Sequence, residues 1–260
     1  MSQSLDRAMT ILITCAEGPQ RLSGLAQQLD VHRSTVLRLL QTMAARNFVR
    51  RQDDGRWTIG LGLTSAALSA LDRIETRAVA NPWLRRLARD LGHTIHLAEL
   101  FGSDIIYVDK VEGRGAVRMN SRVAAPVQIH TAAVAKAILA FSTPDVVDSV
   151  LADLTYQRFT STTLTTQASF RKELATVRAQ GWAVDDGEFE DYISCIAVPI
   201  RDRTGSVQAG ISITALRAIE PLEQLKLNIP RLTEAAQEIS SELGWDGKKG
   251  LTDDGKPQLL

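Results

Sequence analysis

LAQQLDVHRSTVLRLLQTM, residues 25–43, is polar at its centre and apolar at both ends. Leu25, Ala26 and Leu29 share one face of a short helix for which Ser23 is the expected N-cap. The residues VHRS then break the pattern, and a second periodic run covers residues 34–46. Two short helices joined by about four residues form a helix-turn-helix pattern. On the second helix Val36, Leu39, Leu40 and Met43 stand at i, i+3, i+4 and i+7, the spacing of a face turned to a core. The opposite face carries Ser34, Arg38, Gln41 and Ala45, with Thr35 beside them. Arginine can pair with guanine and glutamine with adenine, while Ser, Thr and the helix start suit phosphate oxygens. The helix therefore faces two partners, a protein core and a groove of DNA. A polar face can also be simply solvated, so its neighbours decide the reading.

Those neighbours favour DNA. Residues 4–16 place Leu5, Ala8, Met9, Leu12 and Ile13 at helical spacing, and Gly18-Pro19 ends that helix. Downstream, Asp54-Gly55 is a hairpin signal between strands expected at 48–51 and 56–59. Helices followed by a hairpin make a winged helix. His32 and Arg33 precede the second helix, and Arg50, Arg51 and Arg56 flank the wing. The chain has no formal net charge, yet its first 60 residues hold eight arginines, no lysine and five acidic residues, an excess of three positive charges. The remainder carries the compensating negative excess, a sign asymmetry expected of a nucleic-acid module joined to another domain.

The rest of the 260 residues reads as an α+β domain. Apolar residues at 61, 63, 67, 68, 71 and 74 indicate a helix, and Asn81 with Pro82 at a first helical position is expected to open another, ending at Gly92. TIHLAELFGSDIIYVDKVEG has the alternation of a hairpin turning at Gly102-Ser103, and AVRMNSRV reads as a third strand. Helices are expected over 131–141, 143–154 and 167–180, the last closed by Gly181. GWAVDD and SCIAVPIRDRTGSVQAGISIT supply three more strands, mostly antiparallel. A final helix over 221–243, bent or broken at Pro230, ends at Gly244. The boundaries expected are a DNA-binding domain at 1–60, a helical linker at 61–92, an effector domain at 93–244 and a disordered polar tail at 245–260.

Composition limits the classes available. Apolar residues are 44% and charged residues 23%, as in a folded soluble protein. No apolar run approaches the roughly 18 residues that a membrane helix needs, and the start lacks a leader's cleavage pattern; the expectation is a cytoplasmic protein without a membrane partner. The two cysteines, Cys15 and Cys195, are far apart and suggest no disulfide framework. No cofactor fingerprint is visible, and no cofactor is expected.

The segments SLDRAMTIL, LAQQLDVHRSTVLRLLQTM, DDGRWTIGLGLTSAALS, HTAAVAKAILA and GWAVDDGEFEDYISCIAVPIRDRTGSVQAGISIT together resemble the IclR, or isocitrate lyase regulator, family of bacterial transcription factors over about residues 3–244. The resemblance implies a winged helix-turn-helix, a linker helix and a GAF-like domain that binds a small metabolite, commonly a carboxylate or an aromatic acid. It also implies a homodimer or dimer of dimers on operator DNA. Carried over by position, the effector site comprises Ala132, Ala133 and Val134, Asp185, Cys195, Ser212 and Thr214. A helix start can hold an anion, and Ser212 and Thr214, two apart on a strand, face one side. The chain departs from the family at Ala135, where glycine is usual, at Asp191-Tyr192, where Pro-Gly is common, and at Ser194, where arginine is frequent.

Three other classes compete. A hydrolase would use Cys195 as nucleophile, His130 or His96 as base and Asp185 as orienter. A metal-responsive regulator would gather His130, Cys195, Asp185 and Glu188. An adaptor would use the winged helix for protein contacts and show no salt-dependent affinity for DNA. The expectation is a regulator with neither a catalytic nor a metal site.

Overall fold

Apolar periodicity builds the first three helices. In α1 (Gln3–Glu17) Ile11 and Cys15 enter the core, while Leu5, Met9 and Ile13 line another, exposed face. α2 (Leu22–Gln28) starts one residue before Ser23: Arg21 occupies the N-cap position and makes no side-chain bond there. The expected Ser23 cap is thus corrected, because Leu22 packs against the core and draws the helix start forward. α3 (Arg33–Ala44) also opens one residue before Ser34. His32 is its N-cap, the ring Nδ1 accepting the Ser34 N–H at 3.3 Å. Leu25, Val36, Leu40 and Met43 close the small core together with Val49 and Trp57 from the wing.

The wing is β1 (Val49–Arg51) paired antiparallel with β2 (Trp57–Ile59), Arg51 opposite Trp57. Gly55, at φ 83°, supplies the left-handed residue of the turn, and Asp54 accepts the Arg56 N–H at 3.0 Å. Trp57 also exchanges both backbone hydrogen bonds with Gln20, at 2.7 Å each, which ties the wing to the turn between α1 and α2. Gly60 follows, its N–H bonded to the Phe48 carbonyl, and α4 (Leu61–Leu71) begins with the Gly62 N–H on the Asn47 carbonyl.

This computed structural model describes residues 3–71, 75–114 and 121–247. It divides into two compact units, residues 1–73 and 74–260. The second opens with α5 (Glu75–Leu91), in which Pro82 is internal rather than the first residue of a new helix. Pro82 deprives the Ala78 carbonyl of its helical partner. Ala80, Leu84, Leu87 and Ala88 nevertheless form one buried face across the proline. Burying two leucines is worth about 3 kcal/mol or more, comparable with the cost of the interruption.

Strands β3 (Thr94–Phe101), β4 (Asp104–Val111), β5 (Ala183–Asp186), β6 (Ile193–Arg201) and β7 (Val207–Leu216) form one antiparallel sheet in the order β4-β3-β7-β6-β5. Gly102 turns the first hairpin at φ 63°. Of the expected third strand, residues 116–120 lie outside the described residues and 121–123 are loop. The outer edge of β4, where that strand would pair, is taken by the residues that follow: Ala124 N–H bonds the Tyr107 carbonyl at 2.7 Å, and Val127 N–H the Ile105 carbonyl at 2.8 Å.

Helices cover both faces of the sheet. α5 and α10 (Ile229–Glu242) pack over Ile95, Leu97, Ile196, Ile211 and Ile213. On the other face lie α6 (Ala133–Leu139), α7 (Pro144–Leu151) and α8 (Gln167–Gln180), with Phe170 and Ile138 among the buried side chains. α6 and α7 are shorter than expected; α6 starts late because residues 128–132 form a turn that leaves Ala132 extended. α8 ends at Gly181, φ 88°, as its sequence indicates. The closing helix breaks into α9 (Leu222–Leu225), a 3-10 turn and α10, with Pro230 in the first turn of α10, where its missing N–H costs nothing. Of the polar tail, residues 245–247 are described, Trp245 N–H bonding the Ser240 carbonyl, and 248–260 are not.

Glu99 breaks the apolar pattern of β3. By strand alternation it shares the face of Ile95 and Leu97, and its Oε2 is buried with no hydrogen-bond partner. Burial pushes its carboxyl up to about 7. A raised acid binds more protons in the folded state, so its stabilising contribution is full below about pH 4.5 and is lost as pH rises through 7. Glu99→Gln is therefore expected to raise stability at pH 8 by about 1 kcal/mol, discounted for the group's partial exposure, with a gain that shrinks toward pH 5. Urea titrations at both pH values check this; an equal gain at the two would show that ionisation is not the cause.

Candidate functional site

Two surfaces hold the residues singled out by sequence, one in each unit. On α3 the inner face is sealed in the core, and Arg33, Ser34, Arg38 and Gln41 are exposed, with Thr35 half-buried among them. The Ser34 hydroxyl lies 2.7 Å from His32 Nδ1, so the capping imidazole fixes the orientation of that side chain. On the wing Arg50 and Arg51 are exposed; Arg56 donates from Nε to Asp54 at 2.5 Å, and Arg51 reaches the Gly55 carbonyl at 3.4 Å. Hydrogen bonds from Arg56, backbone first and then side chain, hold the Asp54 carboxyl below its ordinary value. The wing thus presents ordered guanidiniums at its tip.

The second surface is a cavity of about 340 Å³ on the α6 side of the sheet. That volume falls within the range of small-molecule sites. Strand alternation builds its floor: Asp185 is opposite Cys195, and Cys195 opposite Thr214, across three neighbouring strands. Of the effector residues expected from sequence, Ala132, Asp185, Cys195 and Thr214 line the cavity. Ala133 and Val134 are buried in the α6 packing and Ser212 is buried within the sheet; none of these three is at the cavity wall. The amides of Thr131 and Ala132 point back to the Gln128 carbonyl.

The sequence reading missed much of the wall. Tyr107, Ser121, Arg122, Phe189 and Glu190 line it, as does His96, which sequence had raised only as a catalytic base. The available signal was position: His96 is a polar residue in an apolar strand, on the same face as Ala98. Four wall groups form a continuous chain. Cys195 Sγ is 3.3 Å from Thr214 Oγ1, which is 3.3 Å from His96 Nδ1, and His96 Nε2 is 2.7 Å from Ser121 Oγ. Burial, reinforced by the charge of Lys110, drives the imidazole down to about 3, so His96 is neutral.

Beneath the floor is a second polar group. Lys136, fully buried on α6, donates from Nζ to the Val184 carbonyl at 2.8 Å and pairs with Glu188 Oε1. Asp185 Oδ1 accepts the Glu188 N–H at 2.7 Å. Burial pushes Asp185 up to about 6 and Glu188 to about 7, while the Lys136 charge pulls both the other way.

These contacts break up the competing constellations. His130 donates from Nε2 to the Gln157 carbonyl at 2.9 Å and stacks on Phe159. Glu188 is committed to Lys136. Among the described residues no three His, Cys, Asp or Glu side chains are grouped to hold a metal ion, so the expected alternative of His130, Cys195, Asp185 and Glu188 is not assembled. The Cys195 thiol touches Thr214 rather than an imidazole, and burial followed by the Asp185 charge pushes it up. A nucleophilic cysteine needs the opposite shift.

The family model described as the bacterial transcriptional regulator IclR C-terminal domain matches residues 68–241, and the IclR helix-turn-helix domain matches residues 4–53. The chain belongs to the IclR family. Its curated relatives include the HTH-type transcriptional regulator KdgR of Escherichia coli strain K12, 33% identical over 86% of each chain. The regulator XynR of the same organism is 28% identical over 94% of this chain and 98% of its own. Among solved structures, the IclR of Thermotoga maritima superposes with a TM-score of 0.82 at 30% identity, covering 94% of this chain and all of that one. An IclR homologue of Microbacterium hydrocarbonoxydans complexed with 4-hydroxybenzoate gives 0.80 at 25% identity, over 92% and 98%. This IclR-family chain is a transcriptional regulator with a DNA-binding helix-turn-helix domain. Among its described residues no helix is long and apolar enough to cross a membrane.

Proposed function

We propose that the protein is a cytoplasmic, metabolite-responsive regulator that binds operator DNA as a homodimer, and that a small organic acid in the cavity controls this binding. The observation that carries the effector assignment is the cavity itself, and the reading is supported by a relative crystallised in complex with 4-hydroxybenzoate. Dimerisation is supported by the exposed stripe Leu5, Met9 and Ile13 on α1, large apolar side chains at i, i+4 and i+8 that a monomer would leave in water.

On DNA, Arg33, Ser34, Thr35, Arg38 and Gln41 enter the major groove, and Arg50, Arg51 and Arg56 meet the backbone beside it. Arg38→Ala is expected to weaken operator binding by about 1–3 kcal/mol and to relax preference at one base pair of each half-site. Arg56→Ala should weaken all sequences alike and lower the salt slope by about one. Fluorescence anisotropy on selected and scrambled duplexes across a salt series separates the two. If Arg38→Ala keeps both affinity and preference, the base contact belongs to another side chain. Effector control is tested by adding candidate acids to the operator complex, since any change in DNA affinity must appear reciprocally in ligand affinity.

A further inference from the structure

Ser34 stands exposed at the second position of α3 with its hydroxyl proton already committed. His32 Nδ1 accepts the Ser34 N–H at 3.3 Å, so that nitrogen carries a lone pair and no proton. A proton there would point straight at the amide, which excludes both the imidazolium and the tautomer protonated at Nδ1. The Ser34 Oγ lies 2.7 Å from the same nitrogen. A hydroxyl that close to an unprotonated imidazole nitrogen donates to it. The ring therefore shares its lone pair between the amide and the hydroxyl of Ser34, and the serine oxygen presents only lone pairs outward.

That polarity limits what Ser34 can meet on a duplex. Phosphate and deoxyribose oxygens accept hydrogen bonds and donate none, so the direct phosphate contact expected of a serine at a helix start is closed to it. The donors in the major groove are the amino groups of adenine N6 and cytosine N4, whereas guanine O6 and thymine O4 are acceptors. The first residues of a recognition helix are the ones that reach base edges. Arg33 and Arg38 beside Ser34 only donate, so they favour the groups that the serine oxygen rejects.

We propose that His32 makes Ser34 a reader of amino bases, so that the base facing it on one strand is adenine or cytosine rather than guanine or thymine. This rests on the reading of α3 as the groove-facing helix and adds the polarity of one contact within it. His32 is a positioning residue: it determines specificity through the serine hydroxyl without touching the base itself.

Duplexes selected by the full chain from a random-sequence pool supply the probe, and fluorescence anisotropy on every single-base-pair variant of the tightest one maps the preference. Ser34→Ala is expected to flatten preference at one base pair of each half-site, where the wild type favours A or C over G or T on one strand by about fivefold to tenfold. Deleting the amino group of that base alone should weaken the wild type by a similar factor and make no difference to Ser34→Ala. His32→Ala frees the hydroxyl to donate as well as accept, so G and T should bind within about twofold of A and C at that pair. Loss of a helix cap alone would weaken all four alike. His32→Asn restores an acceptor for both protons of Ser34 and should restore the preference. A preference for G or T at the Ser34-sensitive pair, or one for A or C that His32→Ala leaves intact, overturns the assignment. Relaxed preference in Arg38→Ala with none in Ser34→Ala overturns it too, and leaves α3 as the groove helix. Unchanged preference at every base pair in both Ser34→Ala and Arg38→Ala overturns the groove reading itself.

Discussion

Lys136→Met is expected to destabilise the effector domain by about 3–5 kcal/mol, the cost of leaving one half of a buried ion pair without its partner. The lysine is fully buried and Glu188 nearly so, and Glu188 Oε2 already lacks a hydrogen bond. Removing the ammonium strands both carboxylate oxygens and withdraws the positive charge that holds the Asp185 carboxyl down. The double variant Lys136→Met/Glu188→Leu should recover most of the loss, because the pair as a whole adds little once its desolvation is counted. Glu188 stands at about 7 with Lys136 in place, and higher without it. The single variant's deficit should therefore grow as pH rises from 6 to 8, the direction in which a raised acid loses stability. Guanidinium titrations of the three proteins decide it. A single variant within about 1 kcal/mol of the wild type would mean that the lysine reaches solvent.

Gly60→Ala is expected to abolish DNA binding while sparing the second unit. A Cβ on Gly60 would lie 2.1 Å from the Asn47 carbonyl oxygen and 3.2 Å from the Phe48 carbonyl carbon, contacts that only a backbone shift can relieve. That shift would break the Gly60 N–H bond to Phe48 and the adjoining start of α4. Overpacking against backbone should cost at least about 3 kcal/mol, enough to unfold a core as small as that of α1 to α3. Calorimetry should show the transition of the first unit lost or lowered by tens of degrees, with the other unmoved. An unchanged first transition would require the junction to relax without cost.

The residues that were legible share a local signal. Val36, Leu40 and Met43 repeat on one helix face, Asp54-Gly55 can make only a tight turn, and Gly181 ends a helix where a left-handed residue is needed. Pro82 misled because the burial that overrides it comes from tertiary packing on β3, β4 and α10, which the local helix pattern does not report. Lys136 was invisible as a buried cation: AVAKAIL reads as an apolar run with one charge free to reach water, and its partner lies 52 residues away. His96, Ser121 and Glu190 meet only because β3, the loop after β4 and the turn before β6 converge. Asp185, Cys195 and Thr214 were reached through family resemblance, whereas register across three strands is what joins them. Ala133 and Val134 were expected at the cavity, but the helix starts two residues later than expected and they are buried in its packing instead.

The reciprocal backbone bonds between Gln20 and Trp57 give the wing a property that a free two-stranded hairpin lacks. An isolated hairpin frays, and its amides exchange with solvent almost as fast as those of a loop. Here the Trp57 amide is held by a residue of the α1–α2 turn, and its ring is buried in the core that also seats α3. Amide exchange at Trp57 and Gln20 should therefore be as slow as at Leu40, with all three released in a single opening event. The basic tip would then keep a constant distance from the groove-facing helix through every thermal fluctuation short of unfolding, so that the spacing of backbone and base contacts along the duplex is set once, when the domain folds.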